Sequence, residues 1–232
     1  MANETHEKGQ KIATEESVLK KEWALLVILI LPFILILMYW NSIPEQIPLH
    51  WNARGEVNRW GGKNSVFDAP LINIGIALLL YFLPRIDPLK RNYALFPKAY
   101  RMVRLVIAAF LFAIFLLTIS SSLGLEIDPN TFVFIAIPLL FLVIGNFMRS
   151  FRQNFFAGIR TPWTLVNSEV WEKTHKLAAW LWTGGSLVII IFRIIVGKWE
   201  YFPTVFIGYI GVLIVIPMVM SYIYFRQIKT KS

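Results

Sequence analysis

The chain has three histidines, His6, His50 and His175, and no cysteine. Zinc or another imidazole-bound metal needs several ligands close together. Here the three histidines fall in separate polar segments divided by long apolar runs, and no His-Glu-x-x-His occurs. Disulfides and thiolate chemistry are excluded outright. There is no P-loop and no nucleophile elbow. Three polar constellations remain. His50 shares a segment with Glu56 and Asp68, the raw material for a hydrolytic acid–base pair. Arg160 offers five fixed donors and a permanent charge. Trp171 and His175 stand four residues apart and would share one helix face.

These constellations lie in two dense segments. The first, 41–68, contains His50, Trp51, Asn52, Arg54, Gly55, Glu56, Trp60 and Lys63. Pro44 and Pro48 disfavour helix on both sides. Gly55 and the pair Gly61–Gly62 permit turns, so the spacing predicts a shaped non-helical loop with a short hairpin turning near Arg54–Gly55. Two readings fit it: a binding patch for an extracellular ligand such as a peptide, and an interfacial cap with Trp51 and Trp60 among the headgroups. The second segment, 149–176, opens on Arg149 and Arg152, which can meet anionic headgroups. In it Thr161 before Pro162 forces an extended step. Asn167 or Ser168 then serves as N-cap, with Glu169 at the positive end of the helix dipole. That helix runs over 169–176 and merges into the next apolar run. An amphipathic interfacial helix and a brace in which Arg160 holds carbonyls or a carboxylate at the bundle mouth are both open readings.

The rest of the chain must position these segments. Of 232 residues, 56% are hydrophobic and 16% charged. A soluble domain of that length could not hide so much apolar surface, so a bilayer is the natural solvent. Uncharged apolar runs cover 23–40, 69–83, 105–125, 132–148, 177–192 and 202–225. The run 69–83 is short, bounded by Asp68 and by Pro84–Arg85. Charge bias argues that it spans all the same. With six spans, eighteen of the 23 Lys and Arg fall on the side of both termini, four fall on the other, and Arg193 lies at the outer end of the fifth span, where it can snorkel outward. The expected fold is an all-α integral membrane protein with six transmembrane helices and both termini cytoplasmic. It divides into a polar tail 1–22, a two-span unit 23–104 with the outer loop 41–68, and a four-span unit 105–232 with the inner loop 149–176. The net charge of +9 is then a membrane-surface property and does not call for nucleic acid. Pro32, Pro138 and Pro217 lie inside spans as kinks or hinges. The alternative function, a small-molecule or lipid transporter or lipid-handling protein, would need a polar cavity among Asn73, Thr118, Ser120–Ser122 and Asn146. No charged residue lies mid-span to couple an ion.

The motifs Gly145–Asn146, Asn154, Gly158-Ile-Arg160-Thr161-Pro162-Trp163-Thr164-Leu165, Val170–Trp171 and Thr174–His175 resemble the C-terminal motif of the SdpI family of bacterial membrane immunity proteins. The outer-loop string from Ile47 through His50, Trp51, Asn52 and Gly55, with Trp60 and Lys63, looks like the domain of unknown function that commonly precedes it. The resemblance implies a multi-pass protein of a bacterial plasma membrane, without enzymatic activity, cofactor or metal. It further implies protection against a secreted antimicrobial peptide of the sporulation-delay type, and a signalling role through capture of a cytoplasmic ArsR-like repressor. The peptide-facing residues would be His50, Trp51, Asn52, Gly55, Glu56, Trp60 and Lys63. The inner motif would be Asn146, Asn154, Gly158, Arg160, Thr161, Pro162, Trp163, Thr164, Trp171 and His175. Partners would be membrane lipids, the peptide toxin and the repressor, with no direct nucleic-acid binding.

Overall fold

The computed structural model describes residues 22–52, 54–197 and 200–230. Six helices among them are long and apolar enough to cross a bilayer: α1 (Glu22–Ser42), α2 (Asp68–Ile86), α3 (Pro97–Ser122), α4 (Pro129–Met148), α6 (Ser168–Val196) and α7 (Phe202–Lys229). A short helix, α5 (Pro162–Val166), precedes α6. Strands β1 (Gln46–Trp51) and β2 (Val57–Gly62) form an antiparallel hairpin between α1 and α2. The expected hairpin is therefore present, and its tip falls where the sequence places it. Many Leu, Ile and Val side chains of the spans face outward, Leu37, Val188, Ile195 and Ile207 among them. Hydrocarbon covers such residues at no cost, and the helices satisfy their own backbone bonds.

Two ends of the bundle carry separate cores. At the hairpin end, Ile43 and Ile47 pack with Ile36 of α1, Val66, and Phe115 and Ile119 of α3. At the opposite, basic end, Tyr93, Phe96 and Tyr100 pack with Met148, Phe151 and Trp171. α4 packs most extensively against α6, and Gly145 permits the close approach. A Cβ there would lie 2.7 Å from Trp182 Cβ and 2.9 Å from the Thr183 backbone nitrogen. The division expected at 104/105 falls inside α3, which packs against both α2 and α4. Arg193 departs from expectation. It does not snorkel outward but is buried, donating to the Gly197 carbonyl and, at 2.6 Å, to Thr131 Oγ1. It thereby closes the C-terminus of α6 onto the start of α4. A cation at that end also suits the helix dipole.

Span two shows how the helices tolerate proline. The apolar run stops at 83, yet α2 continues through Pro84 to Ile86. Proline has no N–H, so the carbonyl four residues back, Leu80, loses its helical partner. Tyr100 of α3 donates its hydroxyl to that carbonyl at 2.6 Å. Pro217 in α7 likewise frees the Leu213 carbonyl, and Trp182 of α6 donates its indole N–H there at 2.9 Å. In both places a neighbouring helix supplies the bond that lipid cannot. The repair therefore also clamps α2 to α3 and α7 to α6.

Tyr100→Phe is expected to lower stability by about 1–3 kcal/mol, the cost of leaving a buried acceptor unpaired. In a Pro84→Ala background the same change should cost much less, because residue 84 then supplies its own N–H. Thermal unfolding of the four proteins in detergent measures the coupling directly.

Candidate functional site

The inner motif lies at the basic end as a non-helical segment between α4 and α5. Its backbone N–H groups have no ladder to join, and buried amides must be paired. Side chains take them instead. Phe155 N–H donates to Asp87 Oδ2 at 2.9 Å. Phe156 and Ala157 N–H donate to Asn154 Oδ1 at 2.9 and 2.6 Å. Ile159 N–H donates to His175 Nε2 at 3.0 Å, and Thr161 N–H to Thr164 Oγ1 at 2.9 Å. Asn154, Thr164 and His175 are all at 1% exposure or below, so these bonds are shielded from water.

Each acceptor is held from behind. Because His175 Nε2 accepts, Nδ1 carries the hydrogen and donates to the Trp171 carbonyl at 2.8 Å. The imidazole stacks on the Trp171 ring with centroids 4.0 Å apart, on the shared face that the four-residue spacing predicts. Trp171 in turn donates its indole N–H to the Phe151 carbonyl. Asn154 Nδ2 donates to the Arg152 and Ala157 carbonyls. Asn167 is the N-cap of α6, accepting from Glu169 and Val170 N–H. Thr161 caps α5 reciprocally with Thr164, Pro162 takes the first helical position, and Thr161 Oγ1 meets Ser221 Oγ of α7 at 2.9 Å. Trp163 packs on Tyr222 of the same helix. The motif is thus mostly a brace between α6, α7 and the loop.

Sequence reasoning missed the residues that join this brace to the N-terminal half. Asp87 is 2% exposed, and three donors converge on it: Leu89 N–H, Phe155 N–H and the Tyr93 hydroxyl. Tyr93 shares its single hydrogen with Asn154 Oδ1, 3.2 Å away. Burial first, and then the bond to Asp87, hold the Tyr93 phenol above its ordinary range, so it keeps that hydrogen. Asn92 donates to the Gln153 carbonyl, and Gln153 donates to the Thr164 and Leu165 carbonyls. The available signal was Asp87 itself, the one acid among the six basic residues of 84–104 and followed by Pro88.

Two expected members stand apart. Asn146 is exposed on α4, about 100° around the helix from the buried Gly145, and joins none of the brace's hydrogen bonds. Arg160 is exposed and takes the carbonyl form of the expected brace, donating to the Phe155 carbonyl at 2.8 Å.

At the other end, Asn52 builds the hairpin turn. Its Oδ1 accepts from Arg54 and Glu56 N–H, and its Nδ2 donates to Glu56 Oε2 at 2.8 Å. Gly55 has φ +82°, and a Cβ there would approach Asn130 Nδ2 at 3.3 Å, so the tip sits close against the start of α4. His50 Nδ1 lies 2.6 Å from Asn58 Oδ1. Hence His50 and Glu56 each engage an amide rather than one another. Lys63 lies over the Trp40 ring at 4.7 Å. Trp60 is 56% exposed and Trp51 half-buried, which leaves His50 and Trp60 as the open polar-aromatic surface. The polar residues that transport would need do not gather. Asn73 donates to the Ala108 carbonyl, while Thr118 and Ser122 bond back to their own helix.

Gly158 tests the brace. Its φ is +109°, and a Cβ would lie 2.4 Å from His175 Nε2. Gly158→Ala should cost about 2–4 kcal/mol through backbone strain and the lost Ile159 bond. Gly184→Ala, where a Cβ meets open space within α6, should be neutral or stabilising by up to about 1 kcal/mol. Thermal unfolding distinguishes them.

Comparison with known proteins fits this geometry. Residues 27–74, which hold most of α1, the hairpin and the start of α2, match a domain of unknown function, DUF1648. Residues 150–224 match the SdpI/YfhL protein family. The chain is similar to the Immunity protein SdpI of Bacillus subtilis (strain 168), 25% identical over 211 residues that cover 91% of this chain and 99% of that protein. No solved structure matches it. With six spanning helices and this relationship, it is a multi-pass protein of a bacterial plasma membrane. The unit that supplies Asn154, Thr164 and His175 to the brace is thus the one that matches the SdpI/YfhL protein family.

Proposed function

We propose that this protein is a membrane immunity protein that protects its bacterium against a secreted antimicrobial peptide of the sporulation-delay type. The observation that carries the reading is similarity to an immunity protein along nearly the whole length of both chains, so that hairpin and brace are both included. In this reading both termini and the brace are cytoplasmic and the hairpin faces outward, as the charge bias of the sequence favours. His50, Trp51 and Trp60 contact the peptide. A peptide that is itself hydrophobic gains most from aromatic surface at the membrane interface. The turn residues Asn52, Gly55 and Glu56 hold that surface in shape, and Lys63 pins its base on Trp40.

The brace has a second role in this proposal. Its exposed side, with Arg160, Pro162, Phe155 and Val166, presents a compact surface to a cytoplasmic ArsR-like repressor. Signalling requires that the peptide favour one arrangement of the bundle over another. No covalent chemistry is needed for either role.

Survival of a peptide-sensitive bacterium expressing the chain, challenged with purified peptide, tests the reading. With membrane levels matched, wild type should protect, and the triple variant His50→Ala, Trp51→Ala, Trp60→Ala should be as sensitive as cells without the protein. Full protection by the triple variant would remove the hairpin from the mechanism.

A further inference from the structure

Two cavities adjoin at the basic end, between the first turns of α1 and α3. One, of about 490 Å³, is lined by Lys98, Arg101 and Arg104 together with Tyr93 and Glu22. The other, of about 360 Å³, is lined by Leu25, Met102 and Leu105 beside Trp23. Glu22 and Arg101 border both, so the two share a mouth. Basic side chains gather in the first, while aliphatic ones line the second beyond the Arg101 and Glu22 at the shared mouth.

The basic cavity is short of negative charge. The one acid among its described lining residues, Glu22, is committed to Arg104 at 3.2 Å. Among the described residues Lys98 and Arg101 make no ion pair, and Arg104 Nε–H is buried without an acceptor. Helix polarity sharpens the deficit. Lys98 and Arg101 lie in the first turns of α3, whose first turn has no acidic residue. The N-terminus of a helix carries partial positive charge, so cations there are unfavourable and an anion is welcome.

We propose that the paired cavity binds an anionic phospholipid. Its phosphate meets Lys98 and Arg101, and an acyl chain lies against Met102 and Leu105. A free phosphate would use the basic cavity alone. The aliphatic side chains of the second cavity, Leu25, Met102 and Leu105, beside a Trp23 that is 64% exposed on a spanning helix, select a ligand that continues into hydrocarbon. The bound lipid would fill the gap between α1 and α3 and answer the surplus charge at once.

The full chain, purified in dodecyl maltoside, can be titrated with dioleoyl phosphatidylglycerol, dioleoyl phosphatidylcholine or glycerol phosphate while thermal unfolding is followed. Phosphatidylglycerol should raise Tm in a saturable way, and the other two should not. Lys98→Gln combined with Arg101→Gln should weaken the phosphatidylglycerol response about thirtyfold, as expected for two lost contacts to an anionic headgroup. Lys176→Gln, exposed on α6, should respond like wild type. If the double variant unfolds early without lipid, Lys98→Gln alone, at an exposed side chain, should weaken the response about fivefold. An equal response to phosphatidylcholine, or unchanged affinity in the basic variants, would overturn the proposal. A full response to glycerol phosphate would replace the lipid with a soluble anion and overturn it as well.

Discussion

Hydrocarbon offers no hydrogen bonds, so a polar group that the fold withdraws from water is costly unless it is answered from within the protein. That constraint explains the pairings that define this structure. Pro84 and Pro217 each free a carbonyl, and Tyr100 and Trp182 of neighbouring helices take them. The non-helical segment after α4 frees a run of amides, and Asp87, Asn154, His175 and Thr164 accept them. Arg193 closes the end of α6 in the same way. The polar residues of the spans are chiefly partners of the backbone.

The constraint also gives the family motif a physical meaning. Asn154, Thr164 and His175 are not arrayed toward a substrate. They are acceptors placed where the backbone needs them, with Gly158 present because a Cβ would strike the imidazole. A neutral His175 with its hydrogen on Nδ1 fits that role and leaves no free face for a ligand. What the basic end shows to its surroundings is narrower: Arg160 with its apolar neighbours, and the basic cavity at α1 and α3.

Much of this was legible in the sequence where the signal is local. Six uncharged apolar runs gave the six spans, and the proline and glycine spacing of 41–68 gave the hairpin. The four-residue step from Trp171 to His175 put them on one face, where they stack, and of the two cap candidates Asn167 and Ser168 the cap falls to Asn167. Pairings across sequence distance were not legible. Asp87 meets Phe155 from 68 residues away, and nothing in a basic loop of 84–104 announces that its one acid is buried. The continuation of α2 through Pro84 depends on a hydroxyl from another helix, so the apolar run ended too early. Arg193 was misplaced for the opposite reason. A long cation near a helix end can reach water, but here Thr131 and Gly197 bind it first.

The central claim is that the Asp87 carboxyl group holds the inner segment to the N-terminal half of the bundle. Amide hydrogen exchange over 154–159, followed by mass spectrometry on the detergent-solubilised protein, tests it most directly. Asp87→Asn keeps the shape but replaces one acceptor oxygen with a donor. The account predicts that exchange in this segment rises about tenfold or more while that of α4 and α6 is unchanged, since loss of one buried acceptor costs about 1–3 kcal/mol locally. Unaltered protection of the segment in Asp87→Asn would contradict it.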